Sequence, residues 1–141
     1  MIVLDTNVVS ALMRPELNTP VAAWLNRQDF ASIRITVVSL HEIAYGVEMA
    51  PEGNRKEILR RGFEELRHGE IGEDILLLDP AAAAVAAVVR AAAERATGYC
   101  DVPDSLIAGI ALAHGATVAT RNLAHFKHFG VPLVDPWAAA M

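Results

Sequence analysis

The chain alternates short, wholly apolar runs with longer stretches in which apolar positions recur at helical spacing. Five runs have the length and β-branched content of buried strands, at about 2–4, 33–38, 75–78, 117–119 and 132–134. Cap and breaker residues between them, such as Asp79-Pro80 and Gly115, mark where helices begin and end. Helices are predicted at about 7–13, 19–27, 39–49, 55–67, 80–97, 104–113 and 122–129.

Strands that are separated by helices favour a parallel sheet, because parallel strands need a crossover connection. We therefore expect an α/β fold with a five-stranded parallel sheet flanked by helices on both faces. A length of 141 residues fits one domain, so the range 1–141 is predicted to be a single domain. Such sheets bind ligands at the carboxyl ends of their strands, and the residues that follow each strand are therefore the first candidates for chemistry.

Composition narrows the class of protein. Hydrophobic residues make up 53% of the chain, which is enough for a packed core, and the longest unbroken apolar run, 81–89, is too short for a membrane-spanning helix of about 20 residues. The single cysteine, Cys100, excludes an internal disulfide and a cysteine-based zinc site. Without a signal-like segment at its start, the chain is expected in the cytoplasm. The formal net charge of −5 argues against a protein that binds nucleic acid through bulk positive charge.

Three acids begin or precede predicted helices on the same side of the predicted sheet: Asp5, Glu42 and Asp104. Each also has a purely structural interpretation. Asp5 fits a turn, Glu42 fits a capping box with Ser39, and Asp104 fits the first turn of a helix, where Asp101 competes as the N-cap. Carboxylates gathered at one edge repel each other unless a cation lies between them, and oxygen ligands select Mg²⁺ or Mn²⁺.

Four segments, in order along the whole chain, resemble the PIN-domain nucleases, and especially the VapC and FitB type of bacterial toxin. They are MIVLDTNVVSALMRP at 1–15, SLHEIAYG at 39–46, DSLIAGIALAHGATVATRN at 104–122 and PLVDPW at 132–137. The opening segment together with the Thr-Arg-Asn step makes the resemblance specific, whereas any single motif does not. The resemblance implies a PIN-like fold.

The resemblance also implies roles for residues of this sequence. The family's metal-holding acids match Asp5, Glu42 and Asp104, but its usual fourth acid is His125 here. His125 or the amide oxygen of Asn122 takes that position, or the position is empty. Thr6, Asn7 and Asn122 are implied as groups that orient the acids or a bound water, or that position the substrate. Arg14 and Arg121 are implied as contacts for RNA phosphates.

The function that the resemblance implies is a Mg²⁺- or Mn²⁺-dependent endoribonuclease, the toxin of a type II toxin–antitoxin pair. A metal-activated water would hydrolyse the RNA phosphodiester bond and leave 3′-hydroxyl and 5′-phosphate ends. A VapB-like antitoxin is the expected partner, with a homodimer or a larger toxin–antitoxin complex as the assembly and no membrane partner. The alternative is a catalytically weak or inactive PIN-fold interaction protein that acts through its complex with antitoxin and DNA, as the changed residue His125 suggests.

Overall fold

The structure is a computed structural model that describes residues 1–69 and 74–138. Within these residues four strands form one parallel sheet in the order β2-β1-β3-β4. The first strand therefore lies inside the sheet, between the second and the third. The strands are β1 (Ile2–Leu4), β2 (Ile33–Arg34), β3 (Thr117–Ala119) and β4 (Leu133–Val134).

Helices connect these strands, as a parallel sheet requires. Two single 3₁₀ turns, Pro15–Leu17 and Phe30–Ser32, flank the second helix. The α-helices of the described residues are α1 (Thr6–Leu12), α2 (Thr19–Asn26), α3 (Val37–Met49), α4 (Asn54–His68), α5 (Pro80–Thr97), α6 (Val102–Ala113) and α7 (Leu123–Phe126). They match the predicted helices to within a few residues at each end.

The prediction of five strands is wrong in one detail. The apolar run at 75–78 contributes only a single parallel bridge, between Leu76 and Thr36, beyond β2. The Leu76 N–H donates to the Ile35 carbonyl at 2.9 Å, and the Leu76 carbonyl accepts from the Val37 N–H at 2.8 Å. Because α3 begins at Val37, the neighbouring chain is too short to extend this pairing into a ladder.

Helices cover both faces of the sheet, as predicted, and each face carries its own core. Neighbouring residues in a strand point to opposite faces. Val3 and Val118 accordingly pack with α5 and α6 in one cluster, while Leu4 and Ala119 pack with α1, α2, α3 and α4 in the other. All four of these side chains are fully buried. The sheet is therefore the rigid centre that fixes where each strand ends.

The α5 and α6 helices approach each other very closely. A Cβ atom on Gly109 would lie only 2.5 Å from the Cβ of Ala86, so this contact needs glycine at its centre. Asp79 caps the beginning of α5 through its Oδ1, which accepts from the Ala82 N–H at 2.8 Å. Gly98 ends α5 in the left-handed conformation, with φ of 79°.

Among the described residues, no helix has both the length and the apolar character needed to cross a membrane.

Candidate active site

Asp5 lies at the carboxyl end of β1, at the centre of the sheet, and is only 2% exposed. Its Oδ1 accepts a hydrogen bond from the Val8 N–H at 2.9 Å, which makes Asp5 the N-cap of α1. Its Oδ2 accepts from the Thr120 hydroxyl at 2.5 Å. Thr120 follows β3, the strand next to β1, and is itself fully buried. One carboxylate is therefore fixed by two strand ends and one helix.

The environment of Asp5 favours its protonated form. Burial is the main cause, and it raises the pKa of Asp5 above its usual value, to which the nearby charge of Glu42 adds. Hydrogen bonds from Thr120 and from the backbone N–H groups of Val8 and Asn7 act in the opposite direction and lower the pKa. Because the pKa of Asp5 is raised overall, the hydrogen bonds from the protein do not fully offset the cost of burying the charged carboxylate.

Glu42 lies in the second turn of α3 and turns toward the beginning of α1. The Thr6 hydroxyl donates to Glu42 Oε1 at 2.6 Å and also lies 2.9 Å from the Ser39 hydroxyl. The predicted capping box of Ser39 and Glu42 is wrong, because the N-cap of α3 is Thr36, whose Oγ1 accepts from the Ser39 N–H at 3.2 Å. Glu42 is thus free of a capping role, and Thr6 links it to the residue directly after Asp5.

Asp104 lies in the first turn of α6, and the N-cap of that helix is Asp101, whose Oδ1 accepts from the Asp104 N–H at 3.0 Å. Asp104 Oδ2 lies 3.0 Å from Nδ1 of His125, which in turn lies 3.0 Å from Nδ2 of Asn122. Burial raises the pKa of Asp104 to about 6. The His125 contact lowers this pKa, and the charges of Asp101 and Asp5 raise it.

The structure brings the predicted acids to one edge of the sheet but does not place them in a single tight cluster. In residues 1–69 and 74–138, the side chains whose ligand atoms all lie within 4.8 Å of one another are Asp101, Asp104 and His125. Asp5 and Glu42 lie outside this cluster and are linked to it by their charges. The charge of Glu42 raises the pKa of Asp5, and the charge of Asp5 raises the pKa of Asp104. The arrangement is a chain of coupled carboxylates that runs from α3 across β1 to α6.

This fold is shared with a known family of proteins. A family model described as the PIN domain matches residues 2–131. The chain belongs to the PIN-domain family. Toxin FitB of Neisseria gonorrhoeae is 32% identical over 137 residues, which cover 97% of this chain and 99% of FitB. VapC ribonuclease Y4jK of Sinorhizobium fredii is 31% identical over 140 residues, which cover 99% of this chain and 100% of that relative.

Solved structures agree with the sequence relatives. The structure of FitAB bound to an IR36 DNA fragment contains a chain that matches this PIN domain with a TM-score of 0.86 and 32% identity. The match covers 97% of this chain and 96% of the other. The resemblance that the four sequence segments carry is therefore confirmed at the level of the family and of the whole fold.

The remaining predicted residues surround the acids of the PIN domain in different ways. Asn7 is exposed in the first turn of α1. Arg14 follows α1, and its Nε pairs with Glu16 at 2.9 Å, which satisfies part of its charge. Arg121 is exposed directly after Thr120, and its guanidinium carbon lies 4.5 Å from the ring centroid of Trp137. Of the two arginines, Arg121 lies nearer in sequence to a residue that contacts Asp5.

The sequence singles out Thr6 but not two other hydroxyl groups of the site, those of Thr120 and Ser39. Thr120 belongs to the Thr-Arg-Asn step, and it donates the 2.5 Å hydrogen bond to Asp5. Ser39 was assigned to a cap, yet its side chain is buried beside the Thr6 hydroxyl. A usable signal existed for Thr120, because it directly follows an apolar run and so had to lie at the same sheet edge as Asp5.

Proposed function

We propose that this PIN domain is a divalent-metal-dependent endoribonuclease that acts as the toxin of a toxin–antitoxin pair. The main support is the site itself: the buried carboxylate of Asp5 and the partly buried carboxylate of Asp104, whose pKa values are both raised, on the same sheet edge as Glu42. The names of two relatives, a VapC ribonuclease and the FitB toxin, point in the same direction. We also propose that the range 1–141 acts as one domain, because both cores share one sheet.

The donor set fits a hard divalent cation. Among the ion pairs of residues 1–69 and 74–138, none joins a lysine or an arginine to Asp5, Glu42 or Asp104. A site that gathers carboxylates without a basic partner is costly, and Mg²⁺ or Mn²⁺ would offset the repulsion through oxygen ligands. Asp5, Glu42 and Asp104 are the residues that would hold the ion.

Each acid has a neighbour that orients it. Thr120 and the N-terminus of α1 orient Asp5, Thr6 orients Glu42, and His125 orients Asp104. A bound divalent cation would supply a water of lowered pKa and neutralise charge on the phosphate. The hydroxyls of Thr6 and Thr120 keep the carboxylate oxygens in place, and Asn7 and Arg121 are exposed beside them, where they would meet the RNA backbone.

His125 takes the place of the fourth acid in this proposal. Its Nδ1 lies 3.0 Å from Asp104, so the imidazole shares the site with the carboxylate. An imidazole nitrogen suits Mn²⁺ better than Mg²⁺, because Mg²⁺ prefers oxygen ligands. Asn122 Nδ2 lies 3.0 Å from the same Nδ1, and because a ring nitrogen either donates or accepts, Nδ1 bonds to Asp104 in one tautomer and to Asn122 in the other. We therefore expect the protein to be more active with Mn²⁺ than with Mg²⁺.

The proposed partners follow from the relatives. A similar solved structure contains FitAB bound to a DNA fragment, which supports a VapB-like antitoxin as partner and a complex that also binds DNA. A basic segment of such an antitoxin would suit the acidic edge. A homodimer, alone or within a larger complex, is the proposed assembly, and RNA in the cytoplasm is the proposed substrate.

The test compares two aspartates with the same local structure. Asp5 and Asp79 are both N-caps whose Oδ1 accepts from a backbone N–H three residues later, and asparagine caps a helix about as well as aspartate. Chain purified without antitoxin is incubated with structured RNA and Mn²⁺, and the initial rate of cleavage is measured on gels. Asp5→Asn should lose about 100-fold or more of the rate, and Asp79→Asn should keep it. EDTA should abolish cleavage.

Equal cleavage by the wild type and Asp5→Asn would overturn the proposal, because the activity would then come from a contaminating nuclease. The alternative of a non-catalytic interaction protein makes a different prediction. In that case calorimetric titration would detect no binding at millimolar Mn²⁺, and the wild type would not cleave RNA even after the antitoxin is removed.

A further inference from the structure

A cavity of about 280 Å³ lies beside the acidic edge, between the end of α5, the α5–α6 connection and the segment that follows α7. The proposed chemistry leaves this cavity unused. Asp101 and His125 line it and also belong to the tight cluster with Asp104. The cavity therefore adjoins the cluster that contains Asp104.

Two aromatic side chains line the cavity, one of them exposed and the other buried. Tyr99 is 63% exposed, and the Thr97 hydroxyl accepts from the Tyr99 N–H at 3.3 Å. The single hydrogen of that hydroxyl is shared between the Tyr99 carbonyl at 2.8 Å and the Ala93 carbonyl at 2.9 Å. Phe129 is 5% exposed and packs edge-to-face on Phe126, with ring centroids 5.4 Å apart. An exposed ring on a fixed backbone is a surface on which a flat ligand can stack.

The rim of the cavity carries one lysine, on a chain whose formal net charge is −5 with histidine counted as neutral. Lys127 and His128 both line the cavity and are both exposed. The cavity therefore combines aromatic side chains with the ammonium group of Lys127, while the carboxylate of Asp101 lies on its acidic side. Aromatic rings together with a cation form the combination that binds unpaired nucleotides.

We propose that this cavity is a stacking subsite for one unpaired base of the RNA, next to the phosphate that is cleaved. The proposal rests on the ribonuclease function proposed above. The base stacks on Tyr99, and Lys127 and His128 contact the adjoining phosphate. Because every base has a π-face, such a subsite tolerates any sequence but requires an unpaired base, so it selects loops and single strands over duplex RNA.

The first experiment measures steady-state cleavage of an RNA hairpin with a single-stranded loop. Tyr99→Ala should raise KM roughly tenfold and leave kcat within about twofold, because stacking contributes to binding and not to the chemistry. Tyr99→Phe keeps the ring and should behave like the wild type. Tyr45→Ala is the control, since Tyr45 is 59% exposed on α3 and lies outside the lining of the cavity.

The second experiment removes the base instead of the ring. One abasic nucleotide is moved stepwise through the loop, and binding is measured by fluorescence anisotropy in EDTA for wild type and Tyr99→Ala. At one position in the loop, the abasic nucleotide should raise the Kd of the wild type roughly tenfold and leave the Kd of Tyr99→Ala almost unchanged. If the protein cleaves RNA but the abasic nucleotide has the same effect on both proteins at every position, the ribonuclease proposal stands and the stacking subsite is wrong. If the effect of the abasic nucleotide on Kd depends on Tyr99 but no RNA is cleaved, the stacking subsite stands and the ribonuclease proposal is wrong. If the protein neither binds nor cleaves RNA, both proposals are wrong.

Discussion

Replacing Asp104 with asparagine should stabilise the metal-free protein at neutral pH. Burial raises the pKa of Asp104 from 3.8 to about 6, so the folded state resists ionisation of this carboxyl group more than the unfolded state does. Below about pH 4 the group is protonated in both states and costs nothing. Above about pH 6 it is charged in both, and the folded state carries the full penalty. The stability of the wild type should therefore fall between these values.

The size of the effect follows from the same shift. A difference of about two pKa units corresponds to roughly 3 kcal/mol as an upper bound. Two effects reduce it. The Asp104 side chain is still 15% exposed, so solvent screens part of the charge, and a negative charge in the first turn of α6 gains about 0.3–1 kcal/mol from the helix dipole, which asparagine loses. We expect Asp104→Asn to be about 1–2 kcal/mol more stable than the wild type at pH 7.

The measurement is urea unfolding followed by circular dichroism in EDTA, at several values between about pH 4.5 and pH 7.5. The advantage of Asp104→Asn should grow with pH and be smallest at the acidic end. Asp79→Asn, at the exposed N-cap of α5, is the control and should show no such trend. A variant that is equally or less stable than the wild type at pH 7 would refute the reasoning. Added Mn²⁺ should reverse the order, because only the wild type keeps all three acids.

Two further predictions concern packing and the orientation of an acid. Gly109→Ala should destabilise the protein by about 1–3 kcal/mol in urea unfolding, because its Cβ would overlap Ala86, whereas Gly46→Ala, with nothing within 4 Å, should stabilise it by about 0.5–1 kcal/mol. Stabilisation by both would mean that helix propensity outweighs the close contact. Thr120→Val should raise the pKa of Asp5 further and move the acidic limb of the pH–rate profile of RNA cleavage to higher pH. An unchanged limb would contradict the role of that hydrogen bond.

The parts of the structure that depend on neighbouring residues in sequence could be predicted. Asp5 was identified because it directly follows a short apolar run, and the structure places it at the end of β1. Asp79-Pro80 and Gly98 marked both ends of α5, because a cap, a proline at the first position and a left-handed glycine are local signals. The alternation of strands and helices likewise predicted a parallel sheet with helices on both faces.

The parts that depend on distant residues could not be predicted. Two hydroxyl residues, Thr36 and Ser39, lie three apart, and either can cap a helix. Which one does so depends on the pairing of Leu76 with residues 35 and 37, which a local pattern does not contain. The contact between His125 and Asp104 joins residues that are 21 positions apart, so it arises only when α7 packs beside α6. The pairing between Leu76 and residues 35–37 is also only one bridge long, so the fifth predicted strand does not form.

Asp5 serves two purposes, and this affects how such a protein can be inactivated in a living cell. Its Oδ1 caps α1, while the carboxylate charge belongs to the proposed chemistry. Asparagine keeps the cap and removes the charge, whereas alanine removes both and costs about 1 kcal/mol of stability. Under the toxin function proposed above, a cell selected to survive this protein can therefore acquire Asp5→Asn and retain a folded, inactive chain. Such a chain would keep the proposed antitoxin-binding surface and compete with an active copy for the antitoxin.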